Sequence, residues 1–469
     1  MKVDLAIKGG RLATPMGVIE TDVFVKDGKV LALGRLEEMK ALQEIDARGL
    51  VVMPGMVDAH VHMMDPGHTD REDFTTGTAA AAVGGVTTVI EHHRTEPPVH
   101  NVKIFREKVA HCEPKAMVDF AFMGGAIPGN LDKLKDMWDA GAVAFKTFVC
   151  ELHGVEPMPA GPMRELFKTL TTFDGTTLIH AEDDSILKTN ELLLRQAKRT
   201  DYLSVYDWRS EDAEYMAVNT VVNLASQTGA RAICAHVSQP ACLRLINEAR
   251  LKGTHVYAES CPHYFYVTTE DLARQGPWLK FAPAVRPPET VAEMRKALGM
   301  GMVDYIGTDH CPFPKEMKAA GIDDIWAAPY GIPGMETTIR LMLNLVSQGV
   351  LGLADLVRML CETPARLYGL YPGKGCLLPG SDADLILVDP EKKEVVRNRD
   401  IVSKCGWSPF DGMELTGKVV KTLLRGKIVA ETGRPAGEPG DGRFIPRTGS
   451  VSAHSVTASS SKPNRREQS

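Results

Sequence analysis

The 469-residue chain has no apolar run long enough to form a membrane helix, and its first residues, Met1-Lys2-Val3-Asp4-Leu5, bring an acid forward where a signal peptide would be apolar. Neither a secretory leader nor a membrane span is therefore expected. There is no excess of positive charge. A net charge of -6 at 24% charged residues excludes the electrostatic footprint of a nucleic-acid or anionic-membrane binder. No Cys-x-x-Cys pair occurs, and the nine cysteines are scattered and odd in number, which suits reduced thiols in the cytoplasm. What remains is a mildly acidic chain, 44% hydrophobic, suited to small-molecule chemistry and long enough for a large barrel with a small appended domain.

Residues 1–50 read as short strands separated by turn signals, such as Gly9-Gly10 and Lys26-Asp27-Gly28. The segments Asp382–Val388 and Val419–Lys427 have the same texture, so both chain ends are expected to build one small β-sandwich domain, from 1–50 and 373–430. Between them, over 51–372, eight apolar β-rich runs alternate with helix-length stretches: 56–58, 87–91, 117–122, 142–148, 176–180, 230–236, 254–259 and 303–308. Strands apolar on both faces that alternate with helices imply a parallel sheet, and eight of them favour an α/β (β/α)8 TIM-like barrel over a doubly wound open sheet. Residues 431–469, rich in Gly, Pro and Ser, read as a disordered tail.

Barrel chemistry sits at the C-terminal ends of the strands. The first run ends in Asp58-Ala59-His60-Val61-His62, where two imidazoles two residues apart share one side of a strand and can grip one metal ion. The fourth carries Lys146 within Phe145-Lys146-Thr147-Phe148, where an unpaired ammonium is costly to bury. The fifth, sixth and eighth end in His180, His236 and Asp309. A lone histidine is more often a hydrogen-bonded core residue than a ligand. Five ligand-type residues at strand ends read instead as a metal centre.

These motifs, together with Asp65-Pro66-Gly67, Glu259-Ser260-Cys261-Pro262-His263-Tyr264 and Thr308-Asp309-His310-Cys311-Pro312, resemble the cyclic amidohydrolases, a family that includes dihydroorotases, allantoinases, hydantoinases and dihydropyrimidinases. The resemblance spans residues 1 to about 430. It implies two divalent metals, usually zinc, bridged by Lys146 after carboxylation with carbon dioxide. It assigns His60 and His62 to the more buried metal, His180 and His236 to the more exposed one, and to Asp309 both ligation of the first metal and the role of base. The implied reaction is hydrolytic opening of a small cyclic amide. The implied assembly is a homo-oligomer, dimer or tetramer.

The substrate positions depart from each subfamily. Met64 stands where dihydroorotases have a carboxylate-binding arginine, while Arg94 follows the second run where they have asparagine. Glu151 replaces the tyrosine of hydantoinases, and Ala282 leaves only backbone groups where relatives have Asn or Ser. Met64, Arg94, Glu151 and Ala282 are thus the expected substrate contacts. His153 and four other histidines, away from strand ends, are left out of the site. The first expected substrate is an allantoinase- or hydantoinase-like ring. Alternatives are a dihydroorotase-like ring, an acyclic N-acyl amide, and a non-catalytic assembly protein of the same fold.

Overall fold

The computed structural model describes residues 2–448. Its centre is a parallel sheet of eight strands in sequential order: β1 (Met56–Val61), β2 (Val86–Glu91), β3 (Asp119–Gly125), β4 (Ala144–Phe148), β5 (Thr176–His180), β6 (Arg231–Cys234), β7 (Val256–Ser260) and β8 (Tyr305–Ile306). All are buried along their length, as strands walled by helices outside and side chains inside must be. The sheet closes where Val61 pairs in parallel with His310 and the His62 N–H donates to the His310 carbonyl at 2.8 Å, which excludes the open-sheet alternative. Each expected run lands on a strand. The eighth is shorter than expected because the Thr308 N–H and hydroxyl bind the Asp58 carboxylate, at 3.0 and 2.7 Å, instead of continuing the ladder.

Helix boundaries follow local chemistry. Ser210 caps the helix Glu211–Thr228 by accepting from the Ala213 N–H, three acids occupy its first turn, and Gly229 ends it at φ 74°.

The small domain is a sandwich of a four-stranded sheet from the N-terminal segment and a seven-stranded sheet from both chain ends. Leu5, Ile7, Val25, Val52, Leu385 and Leu423 fill the space between them. The segment Val51–Pro54, expected to open the barrel, lies in the seven-stranded sheet and pairs with the strand Leu385–Val395. The barrel therefore starts at Met56. Residues 431–448, expected within a disordered tail, are instead ordered: Arg434–Pro435 add an edge strand to the seven-stranded sheet, and the segment after it lies against the barrel. Phe444 packs on Phe105, Phe120 and Phe122, and the Ile445 N–H donates to the Phe120 carbonyl at 2.7 Å. One aromatic side chain finds a slot between strand and helix, which the Gly and Pro content around it concealed. The rest of that tail, 449–469, lies outside the described residues.

Barrel and sandwich are joined by a buried ionic cluster. Lys374 contacts Asp119 of β3, Asp382 at 2.8 Å and Asp384 at 2.5 Å, and Arg425 also pairs with Asp119. Lys29 also reaches Asp382 at 2.6 Å, and these three cations and three carboxylates are mutually satisfied only while all are present. Replacing Lys374 with Met is expected to lower unfolding free energy by about 3–5 kcal/mol, because carboxylates remain buried without their cation. Urea titration followed by circular dichroism measures it.

Candidate metal centre

His60 is the penultimate residue of β1 and His62 follows its end, so the pleat turns both rings toward the barrel mouth. Their Nε2 atoms approach the same atom, Asp309 Oδ1, at 3.1 and 3.3 Å. Opposite them, His180 ends β5 and His236 lies two residues past β6, with His180 Nδ1 only 2.9 Å from His236 Nε2. Asp309 and His236 hold φ of 47° and 39°, a left-handed backbone that non-glycine residues rarely adopt and that turns both side chains inward.

Two carboxylates set which imidazole nitrogens are free. Glu259 Oε2 lies 2.7 Å from His60 Nδ1 and also accepts the His236 backbone N–H at 3.2 Å. Glu182 Oε2 lies 2.6 Å from His180 Nε2 and is itself paired with Arg209. Each carboxylate takes the proton-bearing nitrogen of its histidine and leaves the opposite lone pair facing the centre. Arg209 is held in turn through its carbonyl, which accepts from Arg286 at 2.7 Å, and Arg286 pairs with Glu214 at 2.9 Å. Glu182 and Glu259 stand in recognisable motifs. Arg209, Glu214 and Arg286 carry no strand-end signal, so sequence reasoning passed over them.

Carboxylates dominate the electrostatics of the centre. Burial alone would depress His60, yet Glu259 and Asp309 outweigh it and hold it up near 9. Burial pushes His62 down to about 3. Asp309, despite burial, is held well below the usual carboxylate range by His60 and His62. Lys146 on β4 is buried, makes no ion pair among the described residues, and is pushed by burial down to about 8. The nearby Glu182, His180 and Cys150 also cluster, but Glu182 is already committed to Arg209.

One cavity gathers His60, His62, Lys146, His180, His236 and Asp309, together with Arg94 and Ala282. Met64 and Glu151, two expected substrate contacts, do not line it. Met64 sits at φ 59° and packs against Cys311 and Phe313, while Glu151 is exposed and its carboxylate lies 3.8 Å from Lys188. His153 and Tyr330 line the cavity in their place. His153 was set aside because it lies on a loop, and only the turn at its φ of 56° brings it to the mouth. Arg94 makes no ion pair among the described residues. Burial draws it down to about 10.

The sequence profile of the amidohydrolase family matches residues 51–429. The chain is 38% identical to the L-hydantoinase of Paenarthrobacter aurescens over 95% of its own length and 98% of that protein. It is 36% identical to the allantoinase of Rubrobacter xylanophilus, over 94% and 97%. The solved L-hydantoinase (dihydropyrimidinase) from Arthrobacter aurescens superposes with a TM-score of 0.92 at 38% identity, covering 95% of this chain and all of that one.

If Glu259 orients His60 for metal, Glu259→Gln is expected to weaken divalent-metal affinity roughly 10–100-fold with the far-ultraviolet circular dichroism unchanged. Chelator competition measures the affinity, and an unchanged value would refute the orienting role.

Proposed function

From the premise that the chain belongs to the amidohydrolase family, we propose that it is a metal-dependent hydrolase that opens a small cyclic amide of the hydantoin or ureide type. The observation that carries this reading is the convergence of four imidazoles and one carboxylate: His180 Nδ1 and His236 Nε2 lie 2.9 Å apart, beside His60 and His62 on one Asp309 oxygen. With their opposite nitrogens committed to Glu182 and Glu259, His180 Nδ1 and His60 Nε2 face the centre, where a cation would take both as ligands.

His60, His62 and Asp309 would hold one divalent ion, His180 and His236 a second, and Lys146 would serve both as a carbamate. Imidazole and carboxylate donors suit zinc, and also cobalt, manganese or iron. Such ions, when bound, acidify water and polarise an amide carbonyl. Carboxylation of Lys146 joins its neutral amine to the carbon of carbon dioxide and releases one proton, and the depressed lysine keeps a useful neutral fraction near pH 8. The product is an anion among cations, which accounts for a lysine buried without a partner.

Asp309 acts on protons. Its carboxylate takes a proton from the attacking water as the water oxygen bonds to the carbonyl carbon, and passes it to the ring nitrogen as the C–N bond breaks. A hydantoin yields a ring-opened ureido acid. Arg94, a cation facing the cavity without an ion pair, favours a ring that carries a carboxylate substituent. Ala282 and the loop residues His153 and Tyr330 would border that ring.

Self-association is supported by Leu192, Leu193 and Met216, all about half exposed on two neighbouring helices. Nine free, buried cysteines suit a reducing cytoplasm. No helix among the described residues is long and apolar enough to cross a membrane.

Protein loaded with zinc in bicarbonate should open hydantoin, allantoin or dihydrouracil, and Asp309→Asn should lower kcat about 10²–10⁴-fold. Failure to turn over any ring, with turnover of N-acyl amino acids, would move the substrate to acyclic amides. Metal-free protein inert to all of them would point to an assembly role. Arg94→Gln should reduce kcat/KM for hydantoin-5-acetate about 10–100-fold while leaving hydantoin-5-acetamide nearly unchanged, the signature of a lost charged hydrogen bond. Equal losses on both rings would show that Arg94 does not read the carboxylate.

A further inference from the structure

His92, the first residue past β2, is buried at the metal centre but has no part in the ligand set described above. Its ring centroid lies 4.2 Å from that of His60 and 4.4 Å from that of His62, meeting His62 edge-on. Neither of its ring nitrogens has a hydrogen-bond partner among the described residues, although both are shielded from solvent. Only its backbone is engaged, donating to the Val61 carbonyl at 3.3 Å. Two unanswered polar atoms on one core side chain are rare, because each gives up water without replacement. An apolar side chain would fill the slot without that cost.

One ring nitrogen from each of His60, His62 and His92 lies within 4.8 Å of the other two. A zinc–nitrogen bond is about 2.1 Å, so side-chain shifts on the order of 1 Å bring all three onto one ion. Three imidazoles are a complete protein ligand set for a zinc ion that keeps an open position, and they need no anion.

We propose that His92 is a third imidazole ligand at the position shared by His60 and His62, so that one divalent cation binds there before Lys146 is carboxylated. The inference rests on the metal-centre reading and adds an order of assembly to it. The first ion enters on three histidines without carbon dioxide. Carboxylation of Lys146 and capture of the second ion by His180 and His236 then follow. A cation already in place lowers the cost of forming the buried carbamate beside it.

The test uses full-length protein stripped by chelator and held in argon-purged, bicarbonate-free buffer, with cobalt(II) as the probe. Wild type and Lys146→Met should each bind one equivalent and show a visible ligand-field spectrum. His92→Met in the Lys146→Met background should weaken that binding at least about 10-fold and change the spectrum. Should the methionine variant misfold on thermal melting, His92→Asn serves the same comparison. Equal affinity and an unchanged spectrum with and without His92 would overturn the proposal, leaving the imidazole as a hydrogen-bonding partner of an ordered water. Wild type that binds cobalt only with bicarbonate would overturn it while leaving the hydrolase reading intact. Wild type that binds no cobalt in either buffer would instead remove the metal centre itself.

Discussion

The structure depends on the convergence of four imidazoles and one carboxylate on a single point. These five side chains come from the ends of β1, β5, β6 and β8. Glu259 and Glu182 enforce this by binding the other face of His60 and His180. The closed barrel makes the arrangement possible, because only a ring of strands brings residues 60 and 309 to one point, with His310 pairing back onto Val61. Behind the rings, Arg209 fixes Glu182 and is itself held through its carbonyl by Arg286, which pairs with Glu214. Rigid support of this kind keeps metal ligands within the narrow geometry that chemistry requires.

The end of β2 carries several closely spaced charged and imidazole side chains. Glu91 is committed to Lys108 at 2.9 Å and to the backbone N–H groups of Met63 and Met64, so it organises the turn after the histidine pair. The next three positions, His92, His93 and Arg94, carry the features with no ordinary structural explanation. His92 lies against the His60 and His62 rings, and Arg94, two positions on, lines the cavity. Under the proposals above, these two residues bear on two different properties, metal loading and ring selection.

The candidate metal ligands were legible because barrel chemistry collects at strand ends, where these residues sit on or just past apolar runs that only a buried strand explains. The same rule overlooked His153 and Tyr330, which reach the cavity from loops, and the arginines that hold Glu182. The family resemblance pointed to Met64 as a substrate contact, and its left-handed backbone turns the side chain into a cluster with Cys311 and Phe313. Composition misjudged residues 431–448 for a similar reason. A Gly- and Pro-rich segment needs only one well-placed aromatic, Phe444, to be held against a barrel that already has a slot for it.

By itself the sequence determined the alternation of buried strands and helices, the two-domain plan from both chain ends, and the residue types at the metal centre. These follow from periodicity and from the cost of burying charge, which act locally along the chain. Tertiary structure alone decided which nitrogen of His60 and of His180 faces the centre, that Lys146 makes no ion pair among the described residues, that Glu151 turns to solvent, and that His92 lies against His60 and His62. Those properties are distances between residues far apart in the chain, and they come into being only when the barrel closes.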